Sequence, residues 1–155
     1  MVIISVYAIA QSFSGGMEAA FGEMIANGQL EKLQGSYGRY KTLISGASGV
    51  LFSCTGILII PFVQLYTKGV TDANYIQPLF ALILLMAEAA NCIVLPYSGL
   101  PIAANHLKQT RWGAYGEALI NIAVSCLLIR WNPLVGVALG TLTATLCRGI
   151  FYMVY

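Results

Sequence analysis

The stretch that decides the fold is residues 75–104, YIQPLFALILLMAEAANCIVLPYSGLPIAA. It opens with an apolar run long enough to cross a bilayer, whose hydrocarbon core takes about 20 apolar residues as a helix. Near the middle lies a carboxylic acid, Glu88, and one helical turn later lies Asn91. An ionisable group at that depth costs about 2.5–3.5 kcal/mol, so it should face other helices or a hydrated cavity. The stretch therefore predicts a membrane-spanning helix with a polar inner face.

The whole chain has the composition of an integral membrane protein. Of its 155 residues, 58% are hydrophobic and 9% are charged, against about 25% charged in a soluble domain. The net charge is +2, and the basic residues are scattered between apolar blocks, so we expect no nucleic-acid partner. The four cysteines lie far apart inside apolar blocks without metal-ligand or disulfide spacing. We interpret them as packing or lipid-facing thiols.

Apolar blocks on both sides of this stretch predict an all-α transmembrane bundle with about four full spans, at residues 42–66, 75–104, 112–129 and 134–155. Residues 1–13 are apolar but too short to span, and we interpret them as the end of a helix whose start is missing. Residues 14–41 predict a cytosolic amphipathic connector, with an ordinary polar loop as the alternative. Residues 42–155 are predicted to form the four-span unit.

The basic residues predict the orientation. In chain order, the connectors carry three, one, two and one Lys or Arg. Because cytosolic loops are enriched in basic residues, we expect the first and third connectors in the cytosol, and the chain to end there near Arg148. His106, in the third connector, has no partner cluster and is interpreted as a solvated loop residue.

Small residues recur at helical spacing in two of the predicted spans. Such residues let helix backbones approach closely in lipid. The predicted packing positions are Gly46, Gly49, Ser53, Gly56, Gly136 and Gly140.

Polar side chains inside the predicted spans indicate a candidate substrate or ion pathway. Its residues are Glu88, Asn91, Glu117, Asn121 and Arg148. Glu117 precedes the turn at residues 130–133 by about the distance that Arg148 follows it, so an antiparallel hairpin brings both to a similar depth. We expect the two to pair. In a functional interpretation, the pair lines a cavity and helps to gate it or to bind an anionic group. In a structural interpretation, the pair only holds the hairpin together, or Arg148 extends to the membrane interface instead.

Glu88 also allows two interpretations. It binds a proton or cation, or faces a hydrated cavity; otherwise it is a protonated carboxyl bonded to the polar stripe between Thr42 and Ser53. Pro96 and Pro101 are expected to kink or end its helix. The sequence contains no nucleophile–base arrangement, phosphate-binding loop or metal-ligand set, so we expect neither an enzyme nor a bound cofactor or metal.

Six segments resemble the C-terminal half of bacterial polysaccharide flippases, which belong to the multidrug, oligosaccharidyl-lipid and polysaccharide exporter superfamily. They are PFVQLYTKGV at 61–70, DANY at 72–75, LPY at 95–97, AANHLKQT at 103–110, EALINI at 117–122 and LVGVALGT at 134–141. The resemblance extends over nearly the whole chain, roughly from Ser12 to Tyr155. The sequence departs from the pattern at Asn105 and Pro133, where the family usually has glycine.

The resemblance implies the later helices of a two-lobed transporter, with the first lobe missing or supplied by a partner chain. It implies alternating-access movement of a lipid-linked oligosaccharide or polysaccharide precursor across the bacterial cytoplasmic membrane, in contact with membrane lipid. Arg148 is then the best available cation for the anionic pyrophosphate. Two alternatives remain: a cation-coupled drug exporter of the same superfamily with Glu88 as its coupling site, and a small membrane scaffold that associates through its glycines.

Overall fold

The computed structural model describes residues 2–68, 77–105 and 107–154, with the backbone alone for residues 107–109. All regular structure in these residues is helical: α1 Val2–Ala26, α2 Leu30–Tyr66, α3 Pro78–Ala103, α4 Leu107–Leu128 and α5 Pro133–Val154. Helix α3 contacts each of the other four helices, and the hairpins α1–α2 and α4–α5 lie against it. The predicted all-α class is confirmed.

Three of the described helices, α2, α3 and α5, are long and apolar enough to cross a membrane. They contain the described parts of the predicted spans at 42–66, 75–104 and 134–155. The predicted span at 112–129 forms most of α4, which is less apolar because it carries Arg111, Glu117 and Asn121. The described residues thus indicate a membrane protein with three candidate spans, one fewer than the sequence predicts.

The first hairpin differs most from the boundaries expected from sequence. Phe13 does not end a helix, because α1 continues to Ala26. The predicted connector at 14–41 therefore comprises the second half of α1, a short turn and the first turns of α2. It is an ordered helical hairpin rather than a loop. Its position at the cytosolic surface stays a prediction.

Two residues with left-handed backbone follow the ends of helices. Gly28, with φ of 68°, follows α1, and the next amide, of Gln29, donates to the Met24 carbonyl at 2.9 Å, as in a Schellman cap. Asn105, with φ of 61°, follows α3, and its amide donates to the Ile102 carbonyl at 2.9 Å. Glycine adopts this conformation without a Cβ clash, and asparagine tolerates it better than most residues.

Prolines start two helices and lie within α3. Pro78 and Pro133 are the first residues of α3 and α5, where the missing amide would have had no partner in any case. Pro96 and Pro101 are expected from sequence to kink or end their helix; neither ends it, because α3 continues through both to Ala103, and a kink stays a prediction. Neighbouring helices and side chains can compensate for the lost backbone bonds inside a membrane bundle.

The hairpin α1–α2 is held by side chains spaced four residues apart on α2. Tyr40, Ile44, Ser48 and Phe52 are the buried positions of that helix. Phe21 of α1 packs edge-on against the Tyr40 ring, with the centroids 5.6 Å apart. In lipid, helix association depends on such close packing and on polar contacts, because the tails are as apolar as the side chains.

Candidate functional site

A chain of polar contacts joins α3, α4 and α5 inside the bundle. From α4 to α3 it runs Glu117, Arg148, Asn91, Glu88. These are four of the five residues that the sequence predicts for a substrate or ion pathway. We call this set the polar network.

The structure brings Glu117 and Arg148 together, as the hairpin register predicts. Arg148 Nη1 donates to Glu117 Oε2 at 2.8 Å. The side chains are only 22% and 23% exposed, so this is a part-buried ion pair and not a surface one. Charge-assisted bonds of this length are about twice as strong as neutral ones.

Asn91 connects this ion pair to Glu88. Its Oδ1 accepts a bond from Arg148 Nη2 at 2.7 Å, and its Nδ2 donates to Glu88 Oε2 at 3.2 Å. The amide is therefore oriented by a donor on one side and an acceptor on the other. Glu88 is 9% exposed and faces the interior of the bundle, not its rim. Its described hydrogen bond is with Asn91 of the same helix, α3. It is not the bond to the α2 stripe between Thr42 and Ser53 that the sequence also allowed.

The charges of the polar network do not cancel. It contains two carboxyl groups and one guanidinium, so full ionisation leaves one negative charge. Arg148 pairs directly with Glu117, whereas the described bond to Glu88 comes from a neutral amide. Arg148 Nε is also buried without a hydrogen-bond partner among the described residues. The network thus has an unused donor and a carboxyl group without a direct cationic partner.

The fifth predicted residue, Asn121, lies one helical turn from Glu117 and is outside the polar network. Its Oδ1 accepts a bond from Ser125 Oγ at 3.1 Å. Its backbone and side-chain oxygens lie against Gly140 of α5, each 3.0 Å from where a Cβ would stand. Asn121 therefore belongs to the contact between α4 and α5 and has no described bond to Arg148.

The structure places Gly136 and Gly140 where α5 touches α4. A Cβ on Gly136 would lie 2.9 Å from the Leu128 carbonyl carbon, and one on Gly140 would collide with Ser125 Oγ. Real Cβ atoms do not approach backbone this closely, so Gly136 needs glycine, whereas a Cβ at Gly140 would first have to displace the Ser125 hydroxyl. The tight contact allows the hairpin to hold Glu117 and Arg148 at bonding distance.

The predicted packing stripe on α2 is mostly unpacked against the described residues. None of their atoms lies within 4 Å of where a Cβ on Gly46 or Gly49 would stand, and Ser53 is exposed. Only Gly56 meets a neighbour, the Leu85 side chain at 3.1 Å. The physical reason is that α2 turns its Tyr40–Phe52 face toward α1 and α3, which leaves the glycine face outward.

Tyr7 of α1, which was not among the residues predicted from sequence, also lies close to the polar network. Its side chain is half-buried and packs on the core cluster that includes Cys92 and Leu95 of α3, in the neighbourhood of Arg148, Glu88 and Glu117. No local signal identified it, because a tyrosine in an apolar block is ordinary and the packing of α1 on α3 is not encoded by spacing. Every helix except α2 therefore contributes a side chain near Arg148.

A second polar contact, also missed, fixes α1 to α2 and α3. The hydroxyls of Ser14 and Tyr40 are 2.6 Å apart and buried, and Ser14 Oγ donates to Glu18 Oε1 at 3.3 Å. The Glu18 side chain lies on Gly99 of α3, 2.9 Å from where a Cβ would stand. Tyr40 lies within the predicted amphipathic connector at 14–41, and the structure buries it against α1.

The described residues contain no group of three or more His, Cys, Asp or Glu side chains that could hold a metal ion. Cys92 is buried, and Cys54, Cys126 and Cys147 are exposed and free. His106 lies outside the described residues, so its interpretation as a solvated loop residue stays a prediction. Chemically, the polar network can offer a guanidinium to an anion and a carboxyl group to a proton or cation.

Comparison of the chain with protein-family models, with curated proteins and with solved structures finds no match.

Proposed function

We propose that the chain is part of a bacterial flippase that moves lipid-linked oligosaccharide or polysaccharide precursors across the cytoplasmic membrane. In this proposal α4 crosses the membrane with α5 as a hairpin, so that the chain has four spans, and a first lobe or partner chain faces the polar network across a central cavity. The proposal rests on the residue resemblance described above and on one feature of the candidate site.

That feature is Arg148, a cation held inside a helix that is apolar enough to span a membrane. An arginine at the centre of a membrane helix costs about 2.5–3.5 kcal/mol, and ionisable groups inside membrane helices often mark a substrate or ion pathway. A guanidinium binds phosphate through two parallel N–H bonds. We infer that Arg148 exchanges Glu117 or Asn91 for a phosphate of the substrate and returns to them afterwards.

A second candidate, a cation-coupled drug exporter, is favoured by Glu88. Its carboxyl group is buried and is bonded to an amide, with no direct cationic partner among the described residues. A group in this position is suited to bind and release a proton or monovalent cation. In that case Glu88 would be the coupling site and Arg148 would respond to its charge through Asn91.

The test is to replace Arg148 by alanine in the source cell and to measure surface polysaccharide and lipid-linked intermediates. We expect surface polysaccharide to be lost and the intermediate to accumulate on the cytosolic leaflet, while the protein remains in the membrane fraction. Arg130→Ala is the matched control, because Arg130 is exposed at the α4–α5 turn. Normal surface polysaccharide with Arg148→Ala would overturn the proposal.

Two further variants separate substrate contact from folding. Arg148→Lys keeps the charge but lacks the planar fork, so we expect the protein to persist in the membrane while transport falls. Glu88→Gln separates the two candidate functions. Loss of surface polysaccharide supports the flippase, and loss of drug efflux with normal polysaccharide supports the exporter.

A further inference from the structure

An open groove lies between α1 and α2, two helices that carry none of the four residues of the polar network. It has a volume of about 310 Å³. Its lining is apolar apart from one serine and comprises Ile9, Ala10, Phe13, Leu43, Ile44, Ala47, Ser48 and Leu51. Ile44 and Ser48 are buried at its floor, whereas Ile9, Phe13 and Leu43 are more than half exposed at its rims.

The groove lies along the part of α2 where the span predicted from sequence at 42–66 begins. From Leu43 to Leu51 it covers about 12 Å of helix at 1.5 Å per residue. Something apolar is expected to fill it, because an empty apolar void forfeits the dispersion contacts of its lining.

A cation stands one helical turn beyond the groove on the same face of α2. Arg39 is four residues before Leu43 and is exposed, and the described residues provide it with no ion pair or hydrogen bond. The neighbouring Lys41 differs, because its Nζ lies 4.5 Å from the centroid of the Tyr97 ring in α3. The nearest acid on α1, Glu18, is engaged by Ser14 and lies on Gly99. Arg39 is therefore an available cation just outside the apolar span.

We propose that this groove and Arg39 form a binding site for one anionic phospholipid of the membrane. One acyl chain lies between α1 and α2 along Phe13 and Ala47, and the headgroup phosphate meets the Arg39 guanidinium. Both ends of the lipid meet complementary chemistry. The acyl chain meets the apolar lining of the groove, and the phosphate meets Arg39, which lies just before the apolar residues of α2 begin. This proposal is independent of the transport function proposed above.

The test uses the full chain in nanodiscs that contain phosphatidylglycerol with a diazirine in one acyl chain. We expect photolabelling at Phe13, Leu43 and Ala47, mapped by peptide mass spectrometry, to exceed labelling at the exposed Ile57 and Leu58 of the same helix. Phosphatidylcholine with the same chains should label the groove about fivefold less, which is the factor expected for one interfacial basic residue.

Two substitutions identify the site. Arg39→Gln should remove the preference for phosphatidylglycerol, whereas Arg130→Gln should leave it unchanged. Ala47→Phe should fill the groove and abolish labelling at Phe13, whereas Gly49→Phe adds the same ring to an open face of α2 and should not. Circular dichroism and gel filtration of each variant confirm that it is folded.

Three outcomes would overturn the proposal. Equal labelling of the groove and of Ile57 and Leu58 would mean that only the ordinary lipid shell is present. Equal labelling by both lipids, or no effect of Arg39→Gln, would exclude a headgroup site. Cross-links that join two copies of the chain through Leu43 or Ala47 would assign the groove to a second copy.

Discussion

The two helical hairpins of this protein are built in opposite ways. In α4–α5 the glycines face the partner helix, the backbones touch, and the close approach positions an ion pair. In α1–α2 large side chains fill the interface, two glycines face outward, and an open groove remains beside the contact. Glycines at helical spacing therefore form a helix contact in α4–α5 and none in α1–α2. The difference shows that such a motif brings two helices together only when its face is turned toward a neighbouring helix.

The largest expected effect comes from removing the cation of α4–α5. Arg148→Met should lower the free energy of unfolding by about 3–5 kcal/mol, because it leaves the Glu117 carboxylate part-buried and unpaired. Denaturant titration of the purified chain in detergent measures this. The exchange of both charges, Glu117→Arg with Arg148→Glu, should recover part of the loss. If the double variant is no better than either single one, the pair does not hold the hairpin.

A methyl group between α4 and α5 should have the next largest effect. Gly140→Ala should cost about 1–3 kcal/mol, because the new Cβ collides with the Ser125 hydroxyl and lies only 3.0 Å from the Asn121 carbonyl oxygen. The same titration applies. Ser125→Gly combined with Gly140→Ala is the compensating control and should recover part of the stability. An unchanged midpoint for Gly140→Ala would mean that the hairpin is looser than described.

In the first hairpin a single hydroxyl should have a smaller effect. Tyr40→Phe removes the 2.6 Å contact with Ser14 and should cost about 1 kcal/mol, since Ser14 keeps Glu18 as a partner. The matched control is Tyr115→Phe, because Tyr115 is exposed on α4. Equal stability of the two variants would show that the buried contact contributes nothing measurable.

The smallest expected effect has the opposite sign. Gly49→Ala should leave stability unchanged or raise it by up to about 1 kcal/mol, because the position is open and alanine favours a helix. The thermal midpoint in detergent gives the value. A clear loss of stability, or of association with a larger assembly, would mean that a partner covers the glycine face of α2. The difference between the two hairpins would then hold only for the chain by itself.

Part of the site could be predicted from sequence, because it depends only on how two helices that are adjacent in the chain pair with each other. A tight turn at residues 130–133 joins two helices, so counting residues from the turn places Glu117 opposite Arg148. The spacing of Gly136 and Gly140 likewise marks a helix contact. These predictions need only the helical rise and the assumption that adjacent helices pair.

The rest of the site depends on which helix faces meet, and spacing alone does not determine that. The bond from Arg148 to Asn91 joins helices that are not adjacent in sequence, and Tyr7 approaches from still further away. The outward turn of Gly46 and Gly49 has the same origin, because the aromatic and aliphatic face of α2 makes the better contact with α1 and α3. The boundary at Phe13 failed because a change in composition does not end a helix that is packed on both sides.

The backbone at Asn105 bears on how this chain is compared with others. Its φ of 61° is a conformation open to glycine and, at modest cost, to asparagine. An exchange between these two amino acids would change the residue at this position and leave the backbone conformation unchanged. Substitution scores that count side-chain chemistry penalise such an exchange, although the geometry treats the two residues as near-synonyms. A comparison that scores backbone torsion angles would therefore accept an Asn–Gly exchange at position 105 more readily than a comparison that scores residue identity.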